Sequence, residues 1–332
     1  MSGGPGARGA MEAPPLAAYL SLAASMLIAG LCVTIGKAAL AYLPVVALAG
    51  PRCLAAITFL LPFAWAERRR GPTIGAILAG MGVRERFDLV AQAFFGIFAF
   101  TLLMLGGVRL TGAGEAGLIA ATMPLAILVL ALPLLGEPLR ARSVGAAAIA
   151  SIGIAVITFS GGVGEGGARW LGNGLVALAV VAEALYTIFA KRLATRLPPA
   201  TMAVMLNVVG LALFAPLLAF QPWGKLLASV PAWGWLLGAT YGALTSGLAL
   251  VLWYRGARRV PGATAGLFTV FLPVGALVSG VAFLGETIDG RQIAGGAVIA
   301  VALAVGLWRP GGARTVPAGR GAGAAPTPRP RA

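Results

Sequence analysis

Apolar runs of about 20 residues follow one another along this chain with little between them. Each is long enough to cross a hydrocarbon core about 30 Å thick. Ten such runs fall at roughly 17–40, 44–65, 89–108, 115–135, 143–161, 172–191, 200–220, 233–254, 263–284 and 291–308. Lipid offers backbone N–H and C=O groups no water, so segments of this kind must satisfy themselves as helices. The expected fold class is therefore an all-α polytopic membrane protein of ten transmembrane helices. Composition supports this, with 59% hydrophobic and only 11% charged residues and a mean hydropathy of +0.92. A soluble domain carries about 25% charged residues, and disorder needs low hydrophobicity. Both classes are excluded for the bulk of the chain.

The remaining segments are short. Residues 1–16 are Gly/Pro/Ala-rich and residues 309–332 are rich in Pro, Gly and Arg; both read as disordered tails, the second basic. The first apolar run is too long for a signal-peptide core and reads as an uncleaved span. With the N-terminus in the cytoplasm, ten spans put most of the 25 Lys and Arg on the cytoplasmic side. Only Arg109, Arg169, Lys225 and Arg291 fall outside, while Lys37 and Arg52 lie within spans. Such asymmetry sets orientation, and it places both termini in the cytoplasm. The net charge of +15 is then a matter of topology and anionic lipid headgroups, and no nucleic-acid partner is expected.

Absences narrow the chemistry further. There is no His, which removes His-based zinc sites, catalytic dyads and His proton relays. Cys32 and Cys53 lie in apolar runs without metal-type spacing, so neither a metal nor a structural disulfide is expected. No Walker-type Gly-Lys-Ser/Thr follows the Gly-rich stretch at 161–167, so it reads as a loop and no ATP-driven motor is present. Ser246-Gly247 lacks the His base an intramembrane serine protease needs. The expectation is no enzyme and no cofactor. A channel would show rings of charge or repeated filter carbonyls, and none is visible.

The sequence repeats itself. Shifted by 149 residues, 116–156 aligns without gaps to 265–305, and thirteen of the 41 positions are identical. The matches include Pro124/Pro273, Gly136/Gly285, Glu137/Glu286 and Arg142/Arg291. Five spans per half is an odd number, so the two copies must cross in opposite directions. Inverted repeats of this kind belong to secondary transporters, with the substrate site near the midplane between halves. The halves are expected at 17–161 and 172–308. A stripe of small residues, Ala147, Ser151 and Ala155, has its counterpart in Gly296, Ala300 and Ala304. Such stripes permit close helix approach, either within one chain or across a homodimer, so monomer and homodimer both stay open.

Several motifs recur in order. Pro51-Arg52 stands in the second span, and V-R-L-T-G-A-G-E-A-G-L links the third to the fourth. L-L-G-E-P-L follows the fourth, and the second half repeats R-R-V-P-G-A-T-A-G-L and F-L-G-E-T-I. Together they resemble the EamA-type members of the drug/metabolite transporter superfamily, over about residues 17–308. The resemblance implies a ten-helix carrier of two inverted five-helix repeats, with a central cavity lined by spans one to four and six to nine. Spans five and ten would be peripheral. Members of that family move amino acids, other metabolites, vitamins, nucleotide sugars or drugs. Glu115 departs from the usual small residue at its position.

Ionisable residues within a span are costly and are functional candidates by default. Among ten acids only Glu183 lies near mid-span, and Arg52 lies at a similar expected depth. They read either as a substrate clamp, Glu183 for an amine and Arg52 for a carboxylate or phosphate, or as a structural ion pair between halves. Glu183 is also the candidate proton carrier. Tyr186, three residues on, shares its helical face. Asn207 and Trp253 complete the candidate substrate contacts, with Tyr241, Thr245, Ser246 and Tyr254 as further polar and aromatic lining. Gln92 and Asn207 also fit interhelical bridges. Lys37 fits snorkelling, Glu115 helix capping, and Glu137 and Glu286 the helix starts that follow them. The function expected is secondary-active movement of a small organic metabolite by alternating access, with export favoured. The alternatives are uptake of a vitamin or nucleotide-like solute, or a channel.

Overall fold

A computed structural model describes residues 16–69, 74–111, 116, 119–136, 140–158, 169–194, 196–284 and 290–307. Most of both tails, the Gly-rich stretch at 161–167, Glu115, Glu137 and Glu286 fall outside these residues. Eight helices are long and apolar enough to cross a membrane. They are α1 (Leu16–Leu40), α2 (Val45–Arg68), α3 (Val83–Gly107), α6 (Trp170–Ala194), α7 (Pro199–Ala219), α8 (Ala232–Ala257), α9 (Gly262–Phe283) and α10 (Gly290–Leu307). Two shorter apolar helices, α4 (Met123–Leu135) and α5 (Ala141–Thr158), stand where the fourth and fifth spans were expected.

Local sequence sets the helix ends. Pro44, Pro198, Pro231 and Pro261 each cap a helix from an extended ψ between 140° and 156°. A proline there ends the preceding segment without removing a hydrogen bond the helix needs. The Leu-Leu-Gly-Glu motif has a backbone explanation in the first half. Gly136 closes α4 at φ 66°, and its N–H donates to the Leu132 carbonyl. This left-handed stop suits glycine. Pro124 sits in the first turn of α4, just after a turn at 121–122. Its equivalent, Pro273, follows a 3₁₀ turn at Phe268–Val270 in α9.

Helices α3 and α8 are each interrupted by a π-helical segment, Phe94–Ala99 and Ala243–Ala249. The two begin 149 residues apart, the offset of the sequence repeat. A π turn inserts a residue, so the helix beyond it is rotated by about 100° relative to an uninterrupted one.

Helix pairing follows the repeat and exchanges elements between the halves. α1 packs against α8 and α9, while its counterpart α6 packs against α3 and α4. α2 packs against α7, and α5 against α10. In lipid such contacts depend on close packing rather than on hydrophobic drive. α1 and α9 meet at Gly30 and Gly275, where a Cβ on either would strike the other helix's backbone. α5 meets α10 where a Cβ on Gly153 would lie 2.7 Å from Ile299 Cγ1. Ala147 of the expected stripe is buried in this pairing, but Gly296, Ala300 and Ala304 are not. On α10 the buried positions are Gly295, Ile299 and Ala302. The interface there lies one residue, about 100°, around the helix from the stripe.

The largest apolar core gathers at one end of the bundle, from the start of α1, the end of α2, the starts of α3 and α7 and the ends of α6 and α8. A second cluster joins α4, α5, α9 and α10. At the opposite end a third, smaller cluster gathers Ala39, Leu43, Ala47, Leu48 and Leu226 with Trp235 and Leu237 of α8, and beside it the bundle holds a cavity.

Candidate functional site

A cavity of about 650 Å³ opens among α1, α2, α3, α6, α7 and α8. Its walls come from the last turns of α1, the first two turns of α2, the second half of α3, and the middle parts of α6 and α8. The size is that of a small-molecule pocket. Among the described residues none of α4, α5, α9 and α10 contributes to the wall, a smaller set than the eight spans the resemblance implied.

Arg52, Glu183 and Tyr186 all line this cavity, as do Tyr241, Thr245 and Ser246. Arg52 follows Pro51, which removes one helical hydrogen bond in α2. Its backbone is pressed against α8, where a Cβ on Gly242 would lie 2.6 Å from Arg52 Cα. The Arg52 Nε is buried and has no hydrogen-bond partner among the described residues. Glu183 keeps part of its surface accessible, and that surface faces the cavity. Its carboxylate makes no hydrogen bond or ion pair among the described residues. The two groups therefore share a cavity without being paired to each other. Counted along the helices, Arg52 stands about 10 Å from the start of α2 and Glu183 about 20 Å from the start of α6. On this count the Arg52 backbone lies nearer that end of the bundle than the Glu183 backbone. Lys37 is exposed and also lines the wall.

Asn207 and Trp253 are not part of the wall. Asn207 is fully buried, and its Nδ2 donates to the Ala203 carbonyl at 2.8 Å and the Ser246 carbonyl at 2.9 Å. It thus bridges α7 to the π segment of α8, directly behind the wall. Ser25 of α1 does similar work, donating to the Ala249 carbonyl at 2.6 Å. A π segment breaks the regular helical ladder, and these side chains occupy its carbonyls. Trp253 is 3% exposed, in the core at the closed end. It lies almost one turn beyond Leu250, the last residue of α8 in the wall. Gln92 bridges α3 to α8 by donating to the Tyr254 hydroxyl at 2.5 Å.

The closed end carries polar contacts that sequence inspection did not single out. Arg192 of α6 pairs with Asp88 of α3 at 3.3 Å and donates to the Leu134 carbonyl of α4 at 2.7 Å. Arg196 pairs with Glu85 at 2.9 Å. The Glu67 carboxylate, at the end of α2, accepts from the Ala200 and Thr201 amides at 3.0 and 2.9 Å and from the Thr201 hydroxyl at 3.0 Å. An anion there meets the positive end of α7. Each of these contacts joins the first half to the second. Lys191 adds bonds to the Ala257 and Val260 carbonyls at the end of α8. The available signal was acids placed against clusters of basic residues at span ends.

Comparison with known proteins fits this architecture. The model of the EamA-like transporter family matches the chain twice, over residues 16–159 and 170–308. The chain belongs to the EamA-like transporter family. A curated relative, the uncharacterized transporter YetK of Bacillus subtilis (strain 168), is 30% identical over 277 residues. The alignment covers 82% of this chain and 81% of that protein. A protein of known crystal structure superposes with a TM-score of 0.71 at 21% identity, over 89% of this chain and 99% of its own. That likeness speaks for the fold alone. As an EamA-like transporter, the chain is a multi-pass protein of the cell membrane whose partners are lipid and a small-molecule solute, and it is a transporter rather than an enzyme.

Proposed function

We propose that this EamA-like transporter is a secondary carrier. It would move a small organic solute, an amino acid or a related metabolite, by alternating access, with export the favoured direction. In this reading ten helices span the membrane as two inverted five-helix repeats, with both termini in the cytoplasm. The end with the cavity then faces outward and the end with the main apolar core faces the cytoplasm. The observation that carries the proposal is the cavity between the halves, holding an acid and a base that have no ion-pair partner among the described residues. Arg52 would take the solute's carboxylate and Glu183 its amine, with Tyr186 as aromatic wall. Both charges are then satisfied by the solute rather than by each other, which distinguishes a clamp from a structural pair. Asn207 and Trp253 would act from behind the wall. Glu183, the acid at depth, would also carry a proton in exchange.

The test is solute counterflow in proteoliposomes with a labelled panel of amino acids, other organic acids, amines and vitamins. Wild-type protein should show saturable exchange for at least one zwitterion. Arg52→Ala and Glu183→Gln should each reduce it by about tenfold to a hundredfold, the cost of leaving a buried partner unpaired. Exchange intact in both variants would sink the clamp. A large single-channel current in planar bilayers would sink the carrier.

A further inference from the structure

Gly96 lies in the π segment of α3 and in the cavity wall, with the ring of Tyr186 from α6 directly over it. A Cβ on Gly96 would fall 2.5 Å from Tyr186 Cγ and 2.9 Å from Cε2. Cγ is the stem of the ring, so a small pivot of the ring tip cannot clear the overlap.

Two ordinary reasons for a glycine fail here. The first is backbone conformation. Gly136 is the only described residue with positive φ, so Gly96 has a backbone any residue can adopt. The π turn does not demand glycine either, because the equivalent position 149 residues on is Thr245, which also lines the cavity. The second is close helix crossing. Where helices cross tightly, as at Gly30, Gly275 and Gly242, the nearest atoms include backbone of the partner helix. At Gly96 the three nearest atoms all belong to the Tyr186 ring. What first excludes a side chain at 96 is the ring. Gly36 of α1 repeats the arrangement more loosely, its Cβ position lying 2.9 Å from Tyr241 Cε2.

We infer that Gly96 is a specificity-determining position. Its bare backbone lets Tyr186 lie back against α3, and this keeps the cavity wide enough for bulky solutes. Gly36 does the same for Tyr241. Any side chain at 96 drives the phenol into the space a solute needs, and large solutes are lost before small ones. The inference rests on the carrier reading for its consequence in transport, and on the cavity alone for its geometry.

The experiment uses the full chain carrying Ser246→Cys as a reporter in the wall, since Cys32 and Cys53 are buried. Its labelling rate is measured with methyl methanethiosulfonate and with a naphthyl-bearing methanethiosulfonate. Adding Gly96→Ala should lower the naphthyl-to-methyl rate ratio by about tenfold, the scale on which one extra methyl is felt in a packed site. Adding Tyr186→Ala as well should restore the ratio. An unchanged ratio overturns the inference. So does an equal fall in both rates, which would mean that the helices had shifted instead, and so does failure of Tyr186→Ala to restore large-reagent access. No labelling of Ser246→Cys by either reagent would overturn it too, since the wall would then be out of reach. Counterflow is scored separately on the wild-type protein. Its absence removes the carrier reading and leaves the labelling result standing.

Discussion

Within the wall, what a residue does depends on whether it faces the cavity or stands behind it. Arg52 and Glu183 face it, unpaired. Asn207 stands behind it and holds the Ser246 carbonyl. Asn207→Leu keeps the branched shape, though not the volume, and removes both amide bonds, leaving polar groups buried without partners. The expected cost is about 1–3 kcal/mol, seen as a lower thermal midpoint in detergent, together with a raised KM because Ser246 is in the wall. An unchanged midpoint would show that the bond contributes nothing. The cavity position of Arg52, Glu183 and Tyr186 was legible in the sequence because polar residues are sparse in apolar spans. The placement of Asn207 and Trp253 was not legible. A helix that is apolar all round has no stripe to show which face is turned inward. In α8 the π segment adds a rotation that counting by 3.6 cannot supply. The Gly96–Tyr186 contact was hidden for the same reason, since it joins residues far apart in sequence across two halves.

At the scale of elements, the repeat was the most readable feature. The 149-residue offset relates Pro124 to Pro273 and recurs in the starts of the two π segments. It also relates α5 at 141–158 to α10 at 290–307. What pattern alone did not reveal is that α1 and α6 each pack into the opposite half, because pairing is a tertiary choice. The pairing of α5 with α10 lies away from the cavity. Gly153→Val should therefore overpack it, at about 1–3 kcal/mol, and lower the thermal midpoint while leaving KM for any transported solute unchanged. A change in KM without a change in midpoint would mean that α5 and α10 take part in the site.

For the molecule as a whole, the contrast between its two ends organises the rest. One end holds the cavity. The other holds the main apolar core and a set of cross-half contacts, Asp88–Arg192, Glu85–Arg196 and Glu67 with the start of α7. The Asp88 and Arg192 side chains are only 6% and 21% exposed, so their pairing is largely shielded from solvent screening. If the molecule rocks about the cavity, the contacts that must part are those between the α3–α4–α6 group and the α1–α8–α9 group, such as Gln92 with Tyr254; Asp88–Arg192 lies within the first group and can stay intact. The measurement that bears on this most directly is counterflow by a chain carrying Gln92→Cys and Tyr254→Cys, bridged by a reductant-cleavable bifunctional methanethiosulfonate. Each single variant treated alike serves as control. Bridging should stop exchange of a solute carried by the unbridged protein, and reduction should restore it. Exchange continuing at the unbridged rate, with the bridge shown intact by mass, would contradict alternating access between these groups.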